Sequence, residues 1–309
     1  MNKLKVLSLF NGISCGRLAL ERANIEVEKY VSCEIDFIPN SIAKYHYPND
    51  TYLGDVFKVD FSQFEGFDLL IGGSPCNYWT IAKTNRETTS EGLGFELFKQ
   101  FIRAYKESKC KYFLYENNES ITKEIKNEIS KYLEVSPIMI NSALVSAQNR
   151  KRLYWTNIPN IIQPKDLNIK ISDIIGVESY CLIKQPFMRR KINGVYDRRF
   201  EPRLDNKSGT IVGTNAGQSN MIAIKTNKEL SNCYVKNSYF YGFGKEYPIK
   251  LPDGYYIIRS LDINEMEQLQ TLPIGYTSIV KPSYARKCIG NGWTVDVIAF
   301  IFSHLKQYI

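Results

Sequence analysis

The first 160 residues alternate between short apolar runs and stretches with helical spacing, and this alternation restricts the fold more than any other feature. Strands are expected at residues 5–10, 28–33, 67–71, 111–115, 135–140 and 152–156, and helices at residues 16–23, 39–45, 95–106 and 121–133. This order predicts an α/β fold with a doubly wound, mostly parallel sheet. Ligands of such sheets bind beyond the carboxyl ends of the strands.

The periodicity weakens from residue 158 to residue 254, where Gly, Asn, Pro, Ser and basic residues become frequent. We interpret this stretch as a smaller, irregular, strand-poor module. Helical signals return at residues 264–271, 282–289 and 294–308. The expected domains are therefore 1–160 plus 255–309, which carry the sheet, and 161–254, which form the inserted module.

Cysteine and histidine usage disfavours several kinds of site. The seven cysteines are scattered and never spaced as CxxC, and only two histidines are present. We therefore expect neither a disulfide framework, nor a zinc site, nor a Ser-His-Asp triad. A protein with reduced cysteines in the cytoplasm is expected instead. The longest apolar runs, such as residues 297–302, are far shorter than the roughly 18–20 residues of a membrane span. No membrane partner is expected, and the N-terminal run is too short for a secretory signal.

A basic stretch between residues 181 and 225 holds most of the excess charge. It contains nine Lys and Arg against three acids, a net +6 of the total +8. Basic residues interleaved with aromatic and small polar residues are typical of a polyanion-binding surface, because they neutralise phosphates. The alternative is a solvated loop that is basic without binding a partner.

The first strand runs into the sequence LFNGISCGRLAL, residues 9–20, which leads to a helix. Gly12 and Gly16 let the backbone approach a ligand, and the helix N-terminus offers N–H groups. The spacing differs from the dinucleotide pattern GxGxxG, which disfavours a nicotinamide cofactor. A turn with glycines is by itself only weak support for a binding site.

Acidic residues follow the next two strands. Glu34 comes about twenty residues after the loop, where a carboxylate accepts hydrogen bonds from both hydroxyls of a ribose. Asp55 is placed to accept from the exocyclic amine of adenine, with Ile35 and Val56 as apolar faces for the ring. An adenosine site without phosphate-binding charge indicates S-adenosylmethionine. The alternatives are a solvated Glu34 and a helix-capping Asp55.

Cys76 follows the strand expected at residues 67–71, after Gly72-Gly73-Ser74-Pro75, at the same sheet edge as the expected cofactor. Proline fixes its own φ and restricts the residue before it, so this turn can hold a thiol in one direction. A free cysteine is more often buried and inert. The position of Cys76 favours a nucleophile instead.

Two further sets of polar residues lie at later strand signals. Glu116, in KYFLYENNES, is expected to be partly desolvated, which favours its protonated form and makes it a proton donor near neutral pH; the alternative is a helix cap. Gln148, Arg150 and Arg152 alternate along an expected strand and would share one face. Three polar groups there need a partner such as a base edge, a phosphate or Glu116.

A thiol, a carboxylic acid and an arginine beside S-adenosylmethionine suit the methylation of carbon 5 of a pyrimidine. That carbon is not nucleophilic by itself. Thiolate addition at carbon 6, with protonation of N3, makes carbon 5 enamine-like and able to take a methyl group. Loss of the carbon-5 proton and of the thiol then restores the ring.

Nine motifs, in order, resemble those of the DNA (cytosine-5) methyltransferases and extend over nearly the whole chain. They are LFNGISCG, Glu34, GDV with Asp55, GGSPCN, the Leu97 of GFELFKQF, YENN, QNRKR, RSLDINEMEQLQTLP and IGNGWTV. LSLFNGI, GGSPCN, GDV and the last tryptophan look most like the animal de novo methyltransferases and their short bacterial and phage relatives. The resemblance implies a Rossmann-like methyltransferase fold that uses S-adenosyl-L-methionine and releases S-adenosyl-L-homocysteine.

The resemblance also implies a role for each matching residue. Cys76 would be the nucleophile, Glu116 the contact to N3 and the exocyclic amine, and Arg150 and Arg152 the contacts to the target base and its surroundings. The residues expected to line the cofactor are Phe10, Asn11, Gly12, Ser14, Gly16, Glu34, Ile35, Asp55, Val56, Pro75, Leu97, Asn291 and Trp293. The C-terminal helix would pack beside the first loop.

The inserted module would be the target recognition domain, which binds double-stranded DNA while the cytosine is flipped out. The residues expected to contact DNA are Gln148, Arg189, Arg190, Arg198, Arg199, Arg203, Lys207, Thr210, Thr214, Asn215 and Gln218. An arginine can bond guanine in two places, and the shortness of the module predicts a short target sequence. Two residues depart from the commonest family pattern, since Asn77 replaces Gln and Asn118 replaces Val.

The resemblance implies no metal and no obligate protein partner, so the chain is compatible with a monomer. A restriction endonuclease acting on the same site would be its partner in a restriction-modification pair, and the expected location is the bacterial nucleoid or the cytoplasm of a phage-infected host. Two alternatives stay open: a tRNA cytosine-5 methyltransferase and a non-catalytic DNA-binding relative. The presence of Cys76, Glu116 and both arginines argues against the second.

Overall fold

Two compact units make up the computed structural model, which describes residues 3–81, 85–184, 191–192, 195–196, 199–213 and 220–309. Unit 1 comprises Met1–Asn141, Lys151–Pro164 and Gly292–Ile309. Unit 2 comprises Ser142–Arg150 and Lys165–Asn291. These limits differ from the expected domains, because residues 142–150 and 255–291 belong to unit 2.

The chain contains the following regular elements. The helices are α1 (Cys15–Arg22), α2 (Phe37–His46), α3 (Leu93–Ser108), α4 (Lys123–Leu133), α5 (Ile171–Ile175), α6 (Ile263–Leu269), α7 (Pro282–Asn291) and α8 (Val295–Leu305). The strands are β1 (Leu4–Leu9), β2 (Val27–Cys33), β3 (Thr51–Leu53), β4 (Leu69–Gly72), β5 (Tyr112–Asn118), β6 (Ile138–Asn141), β7 (Lys151–Thr156), β8 (Ser179–Lys184), β9 (Lys191–Ile192), β10 (Val195–Tyr196), β11 (Phe200–Pro202), β12 (Asn220–Thr226), β13 (Cys233–Lys236), β14 (Tyr239–Gly242), β15 (Lys245–Pro248) and β16 (Gly254–Ser260).

The sheet of unit 1 confirms the expected α/β fold. Its seven strands lie in the order β3-β2-β1-β4-β5-β7-β6. The first five strands in chain order are parallel, and β7 runs antiparallel to both of its neighbours. All residues of β4 and β5 are buried, as expected for strands that are covered on both faces.

An aromatic core covers one face of this sheet. The long helix α3 contributes Phe98 and Phe101, which are fully buried and pack against Tyr115 of β5 with ring centroids 5.1 and 5.0 Å apart. Trp155 of β7 completes the group, 5.8 Å from Tyr115. These large rings fix β4, β5 and β7 against α3, and so fix the strand ends from which the candidate site residues emerge.

The carboxyl ends of four parallel strands meet at one edge. The strand pairing places Leu9 beside both Cys33 and Gly72, and Gly72 beside Tyr115. The segments after β1, β2 and β4 and the last residues of β5 therefore lie at the same edge. Helix α8 packs on α1 in the same unit, with an ion pair of 2.5 Å between Arg22 and Asp296, so the expectation that the C-terminal helix returns to the first loop is confirmed.

Unit 2 is built on a second sheet, and the expectation of a strand-poor module is wrong. Its seven strands lie in the order β11-β8-β12-β16-β13-β14-β15, and all adjacent pairs are antiparallel. Strand β16, which pairs with both β12 and β13, is a central strand of this sheet. The boundary expected at residue 254 therefore falls at the start of a strand that the sheet of unit 2 requires.

One described segment, Pro282–Tyr308, is long and apolar enough by composition to cross a membrane. Within it α7 ends at Asn291 and α8 begins at Val295. Of its most apolar window, 61% is buried. Core helices of soluble proteins have the same composition and burial, so this segment is weak support for a membrane span.

Candidate active site

The turn after β4 brings the backbone close to its neighbours. A Cβ atom added at Gly72 would lie 2.9 Å from the carbonyl oxygen of Leu9, and one added at Gly73 would lie 2.9 Å from Oε2 of Glu116. Pro75 follows with a φ of −51°. Glycine is therefore required at both positions, because a Cβ atom would come too close to neighbouring atoms. The proline limits the direction in which the chain continues.

Cys76 begins a short 3₁₀ turn, Cys76–Tyr78. Its carbonyl oxygen accepts hydrogen bonds of 3.0 Å from the N–H groups of Trp79 and Thr80. The fully buried Trp79 donates its indole N–H to Glu87 at 3.2 Å, and Glu87 also accepts from the N–H of Gly94 at 3.1 Å. The segment that follows the thiol is thus tied to the start of α3.

Exposure separates Cys76 from the other thiols. All seven cysteines lie in the described part, and Cys76 alone among them is not buried. Burial raises the pKa of Cys33 and of Cys181 to about 12 and that of Cys110 to about 11. A buried thiol with a raised pKa is a poor nucleophile, so Cys76 is the candidate that solvent and substrate can reach.

Glu116 lies within β5 rather than after it, because β5 continues to Asn118 by pairing with β7. Only 9% of the residue is exposed. Its Oε1 lies 3.0 Å from Nε of Arg152, and its Oε2 accepts a hydrogen bond of 2.9 Å from the indole N–H of Trp293. Both carboxyl oxygens are therefore held, one by a cation and one by a neutral donor.

The opposite face of β5 orients the turn that carries Cys76. The hydroxyl groups of Ser74 and Tyr115 are 2.6 Å apart, and Asn117 donates to the carbonyl oxygen of Ser74 at 3.2 Å. Because side chains alternate along a strand, Tyr115 and Asn117 share one face and Glu116 and Asn118 the other. One strand thus fixes both the turn before the thiol and the carboxyl group.

The two departures from the family pattern differ in environment. Asn77 is exposed, next to Cys76. Asn118 is buried, with 5% exposure, and its Oδ1 accepts from the hydroxyl of Ser120 at 3.1 Å. Asn118 is paired in register with Arg152, so this polar replacement lies beside the ion pair of Glu116.

The loop after β1 has a strained backbone that its own side chains support. Phe10, Gly12 and Ser14 have φ values of 56°, 55° and 62°, which are costly for the two residues that carry a Cβ. Asn11 stabilises the loop by donating to Ser14 Oγ at 2.7 Å and by accepting from Tyr30 at 3.1 Å. Such a strained, supported turn is typical of a ligand-binding loop.

Glu34 connects this loop to the end of β2. Its Oε2 accepts from the N–H of Gly12 and its Oε1 from the N–H of Asp36, both at 2.9 Å. Burial raises the pKa of Glu34, and the two backbone donors oppose the rise. Each oxygen keeps a second lone pair, so the carboxylate can still accept bonds from two adjacent hydroxyl groups.

A groove of about 440 Å³ opens beside Glu34. Ile35 and Phe37 in its wall are each 77% exposed, so it offers apolar surface to a flat ring. Its lining residues are Glu34, Ile35, Phe37, Asn40, Lys44, Tyr52, Leu53, Gly54 and Asp55. Three of these were expected; Phe37 was missed, although an exposed aromatic residue directly after an acidic strand end is a usable signal.

The other expected cofactor residues of unit 1 have different environments. Asp55 accepts from the N–H of Phe57 at 3.0 Å, which is the local turn contact that the capping alternative describes. Val56 is 5% exposed and lies in the core with Leu97 packed against the same cluster. Because Val56 is buried, its side chain does not offer the expected face to the adenine ring. Ile35 has the exposure that such a contact requires.

Trp293 and Asn291 lie in different units. A Cβ atom at Gly16 would lie 3.4 Å from the ring of Trp293, so this tryptophan lies beside the first loop as expected. Asn291 is the exposed last residue of α7 in unit 2. Its cofactor contact stays a prediction.

Gln148 and Arg150 do not lie on a strand with Arg152, because β7 begins at Lys151. Gln148 is fully buried and donates to the carbonyl oxygen of Leu269 at 3.0 Å. Arg150, 4% exposed, donates to the carbonyl oxygens of Ile211 and Gly290 at 2.9 and 3.1 Å. The expectation of one shared polar face is wrong, and these two side chains hold the backbone of unit 2. The expected DNA contact of Gln148 is also wrong, because its buried side chain has no exposed surface.

The expected DNA contacts of unit 2 fall into two groups. Arg189, Arg190, Arg198, Thr214, Asn215 and Gln218 lie outside the described residues. Of the others, Arg203 pairs with Asp205 at 3.1 Å, and Arg199 lies over the ring of Tyr247 at 5.5 Å.

Lys207 and Thr210 contact the backbone of their own unit. Lys207 is buried and donates to the carbonyl oxygens of Ala143 and Ser146 at 2.5 and 3.2 Å, and burial lowers its pKa. Thr210 donates to the carbonyl oxygen of Asn149 at 2.8 Å. Lys207 therefore has a structural role in place of the expected phosphate contact.

Replacement of Glu34 by alanine is expected to weaken S-adenosylmethionine binding by about ten- to a hundredfold, since two charge-assisted hydrogen bonds are lost. The matched control is Glu28→Ala, at the other end of β2, where the side chain pairs only weakly with Lys5 at 3.7 Å. Because the pKa of Glu34 is raised, the loss of affinity on acidification should begin at a higher pH than for an ordinary glutamate, and this pH dependence should vanish in Glu34→Ala. Isothermal titration measures both; equal affinities of the two variants would remove Glu34 from the site.

The sequence model of one family covers almost the whole chain. The family is described as C-5 cytosine-specific DNA methylase, and its model matches residues 4–307. An orphan methyltransferase of Bacillus phage rho11s is 32% identical over 173 residues, which are 50% of this chain and 33% of the phage protein. A type II methyltransferase of Lactococcus lactis subsp. cremoris is 30% identical, with 99% of this chain and 79% of that protein covered. The chain spans less than half the length of the phage relatives it matches.

Solved structures resemble this chain along its full length. A methyltransferase of Entamoeba histolytica superposes with a TM-score of 0.67, covering 100% of this chain and 99% of that one, at 15% sequence identity. At so low an identity the likeness concerns the fold. It agrees with the parallel sheet of unit 1 and the added antiparallel sheet of unit 2.

Proposed function

The chain belongs to the C-5 cytosine-specific DNA methylase family, and from this premise we propose that it is a DNA (cytosine-5) methyltransferase acting on a short sequence in duplex DNA. The observation that carries the proposal is the placement of Cys76 and Glu116 at the same edge of the sheet. The thiol follows β4 and the carboxyl group lies on β5, adjacent parallel strands in register. Cys76 is the one accessible cysteine, and Glu116 is buried with both oxygens held.

The residues at the ends of β1, β2 and β3 fit S-adenosylmethionine. The carboxylate of Glu34 suits ribose hydroxyls, and the exposed Ile35 and Phe37 suit an adenine ring. Among the described residues that line the groove there is no cluster of cations that a phosphate would need. Its single lysine, Lys44, lies over the ring of Tyr52 at 5.4 Å. When bound, the cofactor supplies an electrophilic methyl group at this sheet edge.

Catalysis begins with Cys76. Its thiolate adds to carbon 6 of the flipped-out cytosine, while Glu116 gives a proton to N3, so that the ring does not have to carry the negative charge. Arg152, bonded to Oε1 of Glu116, keeps the carboxyl group oriented. Carbon 5 becomes enamine-like, and a bound S-adenosylmethionine would supply the methyl group for it, its carbon-sulfur bond breaking to leave S-adenosylhomocysteine.

The second half of the reaction restores the base. The proton on carbon 5 passes to water, elimination breaks the bond between Cys76 and carbon 6 and releases the thiolate, and the proton on N3 returns to Glu116. The thiolate and the carboxyl group are then in their starting states. The burial of Glu116 limits access of water to the proton that it transfers.

Unit 2 is proposed as the target recognition part. The basic stretch of residues 181–225 supports this role by composition. Among its described members, Arg203 and Lys225 are paired with Asp205 and Glu178, and Lys207 binds backbone carbonyl groups. The sequence-specific contacts are therefore assigned to residues of the stretch other than these three. The bacterial and phage relatives support action on intracellular DNA, either alone or beside a cognate restriction endonuclease.

Transfer of a tritium-labelled methyl group from S-adenosylmethionine tests the proposed function. We expect labelling of duplex DNA and not of tRNA, followed by bisulfite sequencing that locates 5-methylcytosine in one short sequence. Labelling of tRNA alone would establish the tRNA cytosine-5 methyltransferase instead. Binding of DNA without any transfer would indicate the non-catalytic relative.

A further inference from the structure

The indole of Trp293 contacts two parts of the candidate site within unit 1. Its N–H donates to Oε2 of Glu116 at 2.9 Å. Its ring lies 3.4 Å from the position that a Cβ of Gly16 would take. The residue stands at the entry to α8, the helix that packs on α1. Trp293 therefore lies between the loop assigned to the cofactor and the carboxyl group assigned to the proton transfer.

The bond from Trp293 completes the restraint on Glu116. Arg152 holds Oε1 from the neighbouring strand β7, at 3.0 Å. With Oε1 alone held, the carboxyl group could still rotate about that contact. A second donor on Oε2 fixes the plane of the group, and the close approach of Gly73 to the same oxygen removes the space for other rotamers.

A neutral donor suits this position better than a second cation would. A second positive charge would strongly favour the ionised carboxylate and oppose the release of a proton to N3. An indole N–H bonds the oxygen in both protonation states and adds no charge. Each oxygen also retains a lone pair for the base.

We propose that Trp293 is a positioning residue for Glu116, in addition to any contact it makes with the cofactor. The inference rests on the proposed function, because it assigns Glu116 to proton transfer. Its specific consequence is that the indole N–H serves the addition of Cys76 to the base even when no methyl donor is present.

The test compares Trp293→Phe with the unchanged chain. Phenylalanine keeps an aromatic ring beside Gly16 and removes only the N–H donor. We expect kcat for methyl transfer to fall about tenfold, the effect of losing one hydrogen bond to a charged group, with little change in the KM for S-adenosylmethionine. Trp155→Phe is the matched control, because it removes another indole N–H that donates to a side chain, the hydroxyl of Ser130 at 2.9 Å, at a tryptophan outside the candidate site.

A second measurement isolates the proton transfer from the cofactor. DNA with tritium on carbon 5 of cytosine is incubated without S-adenosylmethionine. Reversible addition of Cys76, protonation of N3 by Glu116, uptake of a water proton at carbon 5 and loss of tritium release the label into water. We expect Trp293→Phe to slow this release by the same factor as methyl transfer, and Trp155→Phe to leave it unchanged.

The outcomes separate this inference from the proposed function. If the unchanged chain methylates no cytosine, the proposed function fails. If the unchanged chain is active and Trp293→Phe keeps its tritium release while its KM for the cofactor rises, Trp293 is a cofactor contact only and the inference is overturned. Equal losses in Trp293→Phe and Trp155→Phe would overturn it as well, because they would reveal a general structural effect.

Discussion

Replacement of Cys76 by alanine is expected to lower methyl transfer by at least about ten-thousandfold, because no other group can form the bond to carbon 6. Duplex DNA binding should persist, since the change removes one sulfur atom from a turn that Pro75 and its backbone hydrogen bonds define. Transfer is measured with labelled S-adenosylmethionine and binding by fluorescence anisotropy. A duplex with 5-fluorocytosine should trap the unchanged chain covalently, visible on a denaturing gel, and should not trap Cys76→Ala.

Cys110→Ala is the matched control for that experiment. Cys110 is buried and precedes β5, at the edge of the sheet opposite to Cys76. Its removal takes away a thiol without touching the site, so activity and trapping should remain. Full activity of Cys76→Ala, or trapping lost in both variants, would contradict the assignment of the nucleophile.

Replacement of Glu116 by glutamine is expected to lower kcat by about a hundred- to a thousandfold, the usual contribution of a general acid. Glutamine has nearly the same shape, but it cannot give a proton to N3. Trapping by 5-fluorocytosine should slow by a similar factor, because addition of the thiolate itself needs that proton. Affinity for S-adenosylmethionine, measured by titration, should stay close to that of the unchanged chain.

Glu119→Gln provides the comparison. Glu119 is exposed, three residues further along the chain, so its change removes a carboxylate of the same kind without altering the site. We expect normal kcat from this variant. A Glu116→Gln variant with the same kcat as Glu119→Gln would exclude Glu116 as the proton donor.

The parallel sheet could be predicted from the sequence because its strands are buried runs of apolar residues. The expected strands at residues 5–10, 28–33 and 152–156 agree closely with β1, β2 and β7. The polar end of β5 could not be predicted, because Glu116, Asn117 and Asn118 extend the strand only through their pairing with β7. Non-local pairing of this kind has no signature in the local pattern.

The sheet of unit 2 could not be predicted from the sequence, for a different reason. Strands β13, β14 and β15 have four residues each, too few for alternation to stand out from a loop. Two of their outward side chains are exposed tyrosines, Tyr234 and Tyr239. The sequence of these strands therefore has apolar residues on both faces of the sheet, mixed with frequent polar residues. Such a mixture is typical of irregular structure.

The chemistry-bearing residues that follow strands were predicted more readily than the contacts among them. Cys76, Glu34 and Glu116 were proposed from their places beside apolar runs, and Glu116 lies within β5 rather than after it. Their chemical roles stay predictions. The bond from Trp293 to Glu116 joins residues 177 positions apart and depends on how α8 packs on α1. Arg150 and Gln148 were misplaced because alternation was extended three residues before the true start of β7, where the chain passes into unit 2.

The burial of six cysteines has a practical consequence for the folded molecule. To an alkylating reagent, the native chain presents one addressable thiol, Cys76. The number of labels taken up per chain before denaturation then counts competent active sites in a preparation. The target base and the reagent would compete for the same sulfur atom, so slower labelling in the presence of DNA would report occupation of the site by the base, without a radioactive substrate.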